Sequence, residues 1–319
     1  MIDLIIPVYN GEETIGRALG SVVAQTRSRK FLVTVIDDCS TDGTAAVVKK
    51  FKGLIPLNYI KLDKNLGKPG LVRNIGIEKT HCPYIMFLDA DDILAPNAAE
   101  VISRAILQQK PDFINSAFYQ DNRTDEYTVI STNTFTWLHG NAYSREFLQK
   151  NNIKFDDKWN EDGSFNLKCY WLSDKKYVIS QPMSYWLDNK ESITRKNKNF
   201  MLDIAEDYII TYSNAIKYIL NNKQDLAFDK IFKRDCAGKL AEFLQILDTI
   251  IYNKRDKNKI CDVIIKYIQN LKSYNFIDKN FILLTNKYFN NYNIFTDTIR
   301  QYTLYPLLSM VKINVEEYI

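Results

Sequence analysis

Four short runs of branched and aromatic residues, at positions 4–8, 31–36, 57–61 and 84–88, alternate with helical patterns at 14–25, 44–52, 71–79 and 97–110. This alternation constrains the chain more than any other feature. Nearly continuous apolar strands must be covered on both faces, and strands joined through helices run parallel. The first half of the chain is therefore expected to be an α/β domain built on a doubly wound, mainly parallel sheet. Ligands of such sheets bind beyond the carboxyl ends of the strands, where the polar segments of this sequence fall.

The punctuation then changes. Of 11 glycines all but Gly238 lie at or before Gly163, and of 8 prolines all but Pro306 lie at or before Pro182. Beyond about residue 198, apolar side chains recur at helical spacing, as in Leu240, Phe243, Leu244, Leu247, Ile250 and Ile251, or Ile260, Ile264, Tyr267, Ile268 and Leu271. The expected organisation is a ligand-binding domain over 1–197 and a C-terminal helical region over 198–319. Charge in the second region is mixed rather than striped, so packing against the first domain is expected before self-association or contact with a membrane.

A formal charge of +4, from 42 basic and 38 acidic residues, makes no demand for a nucleic-acid partner. The 5 cysteines show no CxxC or Cys/His spacing, which argues against a zinc site or a disulfide framework and for a reducing compartment. No long uncharged apolar stretch is present. The start MIDLIIPVYN, broken by Asp3 and Pro7, does not resemble a signal peptide, and a cytoplasmic location is expected. Abundant Lys, Asn, Ile and Tyr suggest an AT-rich bacterial genome.

At the end of the fourth strand comes FLDADD, residues 87–92. In an extended chain Asp89 and Asp91 project to one side. Two such carboxylates at a ligand-binding edge suit a hard divalent cation that keeps waters and takes phosphate oxygens. The same residues also read as turn and cap residues ahead of Pro96. The first strand ends in Pro7, Val8, Tyr9, Asn10, Gly11 and Glu12, and the second in Asp37, Asp38, Cys39, Ser40, Thr41, Asp42, Gly43 and Thr44. Asn10 and Ser40 or Thr41 are expected as helix caps. Adjacent like charges at 37 and 38 require donors, which a nucleobase N–H or a ribose hydroxyl would supply. Neither GxGxxG nor a P-loop occurs, so phosphate binding falls to a metal and to Lys68 and Arg73 in NLGKPGLVRN.

PVYNGEETI, VIDDCSTDGT, NLGKPGLVRNIGI and FLDADD, in this order and spacing, resemble the family 2 glycosyltransferases of the GT-A fold. The likeness is strong over roughly the first 110 residues. It continues through TWLHGNAYSREFL, KWNEDGSF and SYWLDNKESIT, which are similar to the bacterial surface-polysaccharide branch. The resemblance implies a nucleotide-diphosphate sugar held by the Pro7–Glu12 segment, with Asp38 at the base, Arg73 as the loop cation, Asp89 and Ala90 near ribose and metal, and Asp91 as the direct ligand of Mn²⁺ or Mg²⁺. The donor expected is a UDP-hexose or UDP-N-acetylhexosamine, and the acceptor a glycan or lipid-linked glycan at the inner face of the cell membrane. Cys39 stands where the family usually carries glycine, which puts the local turn in question.

A sugar hydroxyl gains from proton removal as it attacks. With only His81 and His139 available, a carboxylate is the expected base, and the Glu-Asp motif at Glu161 and Asp162 supplies it, Asp162 first. An acidic first helical turn complementing the dipole is the plainer reading of the same pair. Asp92, His139 and Trp159 are candidates for the acceptor side. The expected reaction is a one-step inverting transfer. A glycoside hydrolase needs no nucleotide-binding strands, and a nucleotidyltransferase would need a glycine-rich basic loop directly after the first strand. A non-catalytic module that binds a nucleotide-sugar or glycan within a biosynthetic complex is the remaining alternative.

Overall fold

Strand β1 (Ile2–Val8) is buried at nearly every position, and the reason is visible in its neighbours. It pairs in parallel with β2 (Phe31–Asp37) and with β4 (Tyr84–Phe87), and β2 pairs in parallel with β3 (Leu57–Lys61). In this computed structural model the described residues are 1–25, 30–122, 126–131, 137–189, 197, 199–252, 258–274, 276–277, 281 and 285. Packing divides the chain into two compact units, Met1–Lys196 and Asn197–Ile319.

The first unit is built on one 9-stranded sheet of order β3-β2-β1-β4-β8-β6-β9-β5, with β7 paired to β6. Its parallel half is the one legible in the sequence. The other half mixes directions: β8 (Ala142–Ser144) runs antiparallel to β4 and β6, β6 (Phe113–Asp121) pairs in parallel with β9 (Lys176–Trp186), and β5 (Ile93–Leu94) and β7 (Tyr127–Ile130) run antiparallel to β9 and β6.

Both faces of β1 are covered. Leu4, Ile6 and Val8 join Ile15, Ala18, Leu19 and Val22 of α1 (Ile15–Val23) and Ala98 and Ile102 of α4 (Ala98–Gln109) in one core. Helix α2 (Thr44–Lys49) lies beside α1. On the other face Ile5 meets α3 (Pro69–Lys79) so closely that a Cβ on Gly76 would stand 2.4 Å from its Cγ2. The α3 face continues as an aromatic cluster: Phe155 and Phe165 stack at 3.9 Å, and Phe87 lies edge-on to both. Phe165 belongs to α6 (Glu161–Leu172), so the cluster anchors the acidic start of that helix to the end of β4.

One buried ion pair ties the sheet together. Asp3 is fully buried, and its Oδ2 accepts from the Cys82 N–H at 2.6 Å and from Arg145 Nη2 at 2.8 Å. Arg145, at the start of α5 (Arg145–Lys150), also donates to the Ile77 carbonyl at 2.7 Å, the Cys82 carbonyl at 2.8 Å and Thr80 Oγ1 at 2.7 Å. A single guanidinium thus fastens β1, the end of α3 and the β8–α5 junction.

The second unit comprises α7 (Phe200–Asp203), α8 (Ala205–Asn222), a 3-10 turn Gln224–Phe228, α9 (Lys230–Tyr252) and α10 (Asn258–Ser273). The apolar stripes become its core. Leu240, Phe243, Leu244, Leu247 and Ile250 of α9 and Ile260, Ile264, Tyr267, Ile268 and Leu271 of α10 are all buried. Phe243 lies edge-on to Tyr208, Tyr212 and Tyr267. The side chain of Ile251 lies outside the described residues. Among those residues no helix is long and apolar enough to cross a membrane.

Removing one partner of a buried pair leaves the other charge without compensation. Arg145→Ala is expected to lower unfolding free energy by about 3–5 kcal/mol, read as a shift of the urea midpoint at unchanged m-value. A loss below about 1 kcal/mol would show that the Asp3 carboxylate is not held by this contact.

Candidate active site

The loops after β1 and β2 are bound to each other as well as to the helices that follow them, with the Ile15 N–H donating to the Gly11 carbonyl at 2.9 Å and the Thr44 N–H to Asp42 Oδ1 at 3.0 Å. Asn10 N–H donates to Ser40 Oγ at 2.8 Å, Gly11 N–H to Thr44 Oγ1 at 2.9 Å, and Glu12 N–H to Asp42 Oδ2 at 3.0 Å. In return Thr41 N–H donates to Asn10 Oδ1 at 2.9 Å and Gly43 N–H to Glu12 Oε2 at 2.8 Å. The cap assignments for Asn10, Ser40 and Thr41 are corrected accordingly. The capping positions are Thr14, whose side chain makes no cap bond, and Gly43, beside which Asp42 Oδ1 accepts from the Thr44 N–H at 3.0 Å. Tyr9 projects from this pair of loops and is 52% exposed, whereas Pro7 and Val8 belong to the strand end.

Asp37 and Asp38 find donors inside the protein. Asp37 accepts from Ser40 N–H at 2.7 Å and from the Tyr59 hydroxyl. Asp38 accepts from the N–H groups of Leu66 at 2.8 Å and Gly67 at 3.1 Å. Its carboxylate therefore shapes the loop that leads to Lys68. The Lys68 ammonium stands 4.1 Å over the Trp159 ring, covering one face that an acceptor sugar was expected to use. Cys39 adopts φ 66°, the left-handed conformation that the family's glycine would take without strain.

At the centre is Arg73, buried on α3. It donates through Nη2 to Asp89 Oδ1 at 2.6 Å and through Nη1 to Glu161 Oε1 at 3.0 Å. Burial works against its charge, but Asp89, Glu161 and Asp162 hold it firmly protonated. The acids respond differently. Burial would raise Asp89, yet Arg73 outweighs it and holds the carboxyl below the usual carboxylate range. Glu161 is pushed up to about 7, first by burial and then by Asp162, which Arg73 only partly offsets. Burial also raises Asp162. One guanidinium faces three acids, so the last of them ionise reluctantly. Backbone geometry brings the groups together: a Cβ at Gly70 would lie 2.5 Å from Glu161 Cγ, so α3 and α6 approach this closely only with glycine there.

The DxD segment is not an extension of β4. That strand ends at Phe87, and the Asp92 N–H donates to the Asp89 carbonyl at 3.0 Å, closing a turn in which Ala90 lies. Strand alternation thus does not orient Asp89 and Asp91. Asp89 turns to Arg73, while Asp91 Oδ2 accepts from Asn189 Nδ2 at 2.8 Å. Asp92 is 1% exposed; its Oδ1 accepts from Leu187 N–H at 3.0 Å and its Oδ2 lies 3.2 Å from His139 Nδ1. Burial, opposed by His139, places it at about 6. Burial lowers His139, but Asp92 and Asp89 outweigh that and raise it. The imidazole sits among Phe118, Trp137 and Trp186. Asp92 and His139, expected on the acceptor side, form an internal pair that holds segment 187–189 against the turn.

The site carries an excess of acid around one arginine, which suits a divalent cation. Among the described residues no three His, Cys, Asp or Glu side chains group closely enough to cage one. Asp91 with Asp89 would hold Mn²⁺ or Mg²⁺ together with phosphate oxygens and water, in keeping with hard cations that retain an open shell. Sequence reading missed Asn189, whose partner lies 98 positions away, and the bridging role of Arg73. The only available signal for Asn189 was its place within SYWLDNKESIT.

Residues 3–176 match the model of Glycosyl transferase family 2. Over 197 residues the chain is 28% identical to the poly(ribitol-phosphate) beta-N-acetylglucosaminyltransferase TarP of Staphylococcus aureus, covering 56% of this chain and 59% of that protein. The match thus spans less than two thirds of the relative's length. The fold is that of S. aureus TarS residues 1–349, solved with UDP-GlcNAc, at TM-score 0.64 and 17% identity over 94% of this chain and 91% of that one. It is also similar to a mannosyltransferase of Pyrobaculum calidifontis solved with GDP-Man and Mn²⁺, at TM-score 0.54 and 14% identity over 98% and 85%. The GT-A-type doubly wound sheet with a helical C-terminal region is therefore the fold observed.

Two outcomes follow from the geometry. Folding keeps Glu161 protonated up to about pH 7, against an ordinary 4.5, so the stability it confers is full below 4.5 and is lost as pH rises to 7. Glu161→Gln should flatten the pH dependence of the urea midpoint across that window; an unchanged slope would remove the shift. Cys39→Gly should raise stability by about 1 kcal/mol by relieving the left-handed conformation, measured by thermal unfolding.

Proposed function

Because the chain belongs to glycosyl transferase family 2, we propose that it transfers a sugar from a nucleotide-diphosphate donor to a hydroxyl of a glycan acceptor in bacterial surface-polysaccharide synthesis, with inversion at the anomeric carbon. The observation that carries this reading is the Arg73 bridge. It joins the turn after β4, through Asp89, to the start of α6, through Glu161, and in this reading the first faces the leaving diphosphate and the second bears the base. A transfer reaction needs both ends in fixed relation.

In this reading the donor lies over the carboxyl ends of β1, β2 and β4, with Tyr9 and the Pro7–Glu12 loop along the nucleotide and Asp38 and Lys68 at the loop beside it. The family relative is named as an N-acetylglucosaminyltransferase and the solved neighbour holds UDP-GlcNAc. These names support a UDP-hexose or UDP-N-acetylhexosamine donor. Asp162 is the base. Glu161 is committed to Arg73 and raised to about 7, whereas Asp162 is only half-buried and, among the described residues, accepts one hydrogen bond, from the Gly163 N–H at 2.8 Å. Asp162 takes the acceptor proton as the hydroxyl oxygen bonds to the anomeric carbon, and the bond from that carbon to the diphosphate oxygen breaks. Arg73 holds Asp89 and Glu161 in place as this happens. A divalent cation, when bound at Asp91 and Asp89, offsets the charge of the leaving diphosphate. Residues 198–319 serve packing, self-association or contact with the inner face of the membrane, where lipid-linked acceptors lie.

Asp162→Asn is expected to reduce transfer by about 10²–10⁴-fold with donor affinity within about twofold, measured by UDP release and by UDP titration. Asp91→Ala should abolish the dependence of donor binding on Mn²⁺. Near-normal transfer in the first variant, with metal-dependent binding intact in the second, overturns the assignment.

A further inference from the structure

On the sheet face opposite His139 and Trp186, three tyrosines gather at the end of β6, β7 and β9. Tyr119 and Tyr185 are register partners, stacked at 4.5 Å with 23° between planes. Tyr127 lies edge-on to Tyr119 at 6.1 Å and to Tyr185 at 5.1 Å, and it is 48% exposed. Its ring is thus braced by two others while about half of its surface meets solvent. Among the described residues none of the three hydroxyls has a hydrogen-bond partner.

Such a cluster does not arise from core packing, because it lies at the surface, and a stacked polar aromatic group leaves its faces and hydroxyls to something else. The row is continuous with the candidate site. Tyr185 pairs with Ile93, two positions after Asp91, and Tyr119 pairs onward with Val129 of β7. Asp121, the partner of Tyr127, accepts from the Asp188 N–H at 3.3 Å, and the neighbouring Asn189 reaches Asp91. The charged side chains described beside the row, Asp121, Glu126 and Asp188, are acidic. That charge disfavours an anionic lipid surface or a polyphosphate and favours a neutral ligand rich in hydroxyls, whose C–H faces stack on aromatic rings and whose O–H groups meet phenols and carboxylates.

We propose that Tyr119, Tyr127 and Tyr185 form a saccharide-binding subsite that holds a neutral pyranose chain leading to the acceptor hydroxyl. The assignment rests on the transferase reading above, and it adds that the acceptor is gripped away from the bond-forming centre. Tyr127 supplies the stacking face, Tyr119 and Tyr185 fix its angle, and Asp121 accepts from sugar hydroxyls.

The test uses the full chain and a panel of neutral cello-, chito-, malto- and manno-oligosaccharides, read by saturation-transfer NMR and calorimetry, with UDP and Mn²⁺ titrated separately. At least one series should bind the wild type and lose about tenfold in affinity in Tyr127→Ala, with a smaller loss in Tyr127→Phe, which keeps the ring. UDP affinity should stay within about twofold in both variants. Oligosaccharide binding that is indifferent to Tyr127→Ala, or no binding to any series, overturns the subsite. So does co-sedimentation with anionic phosphatidylglycerol vesicles, or a dimer in sedimentation velocity, that Tyr127→Ala abolishes in place of glycan binding. Failure to bind UDP would remove the donor reading, whereas the ring-dependent glycan titration stands or falls independently.

Discussion

Everything at the candidate site is arranged around a shortage of positive charge. Arg73 is buried with Asp89, Glu161 and Asp162 about it, and it bonds directly to the first two. A guanidinium can fork to two carboxylates in one plane, so its geometry, and not only its charge, fixes the end of β4 relative to the start of α6. The third acid is left to share what remains. Burial first, and this imbalance second, keep Glu161 near 7 and raise Asp162, while Arg73 holds Asp89 below the usual carboxylate range. Carboxylates of like type acquire different protonation behaviour from position alone.

The parallel half of the sheet was readable because its signal is local. Leu4, Ile5 and Ile6, or Val33, Val35 and Ile36, are apolar at consecutive or near-consecutive positions, and only a strand buried on both faces tolerates that. The antiparallel half left no comparable trace. β5 has 2 residues, β8 has 3, and β9 carries an alternation broken by register shifts around its pairing with Ser116 and Ala117. The residues of the candidate site were legible as types. Their partners were not, since Asp38 meets the loop at 66–67, Asp92 meets His139 and Asp91 meets Asn189 across long sequence separations. Two adjacent aspartates announce a need for donors, but nothing in their composition says whether the donor is a ligand or a backbone amide.

The division of labour among Asp37, Asp38, Asp89, Asp91 and Asp92, at the ends of β2 and β4, has a physical logic. Asp37 and Asp38 are satisfied by the protein, so they hold loops in shape. Asp92 is sealed with His139 in an aromatic setting, so it secures the segment that bears Asn189. Asp89 is held by the Arg73 guanidinium, whereas Asp91 meets the side-chain amide of Asn189, and such an amide can yield to a cation at lower cost than a guanidinium would.

The reciprocal bonds between the loops after β1 and β2 carry an evolutionary consequence. Asn10 serves Thr41 and is served by Ser40, while Glu12 and Gly43 or Asp42 exchange bonds in both directions. A change of length or side chain in one loop strands donors in the other, so the two segments, some 30 positions apart, can drift only in step. Variation in this part of the chain should therefore be inherited as paired substitutions, with the nucleotide end of the sheet behaving as a single unit of descent rather than as two independent loops.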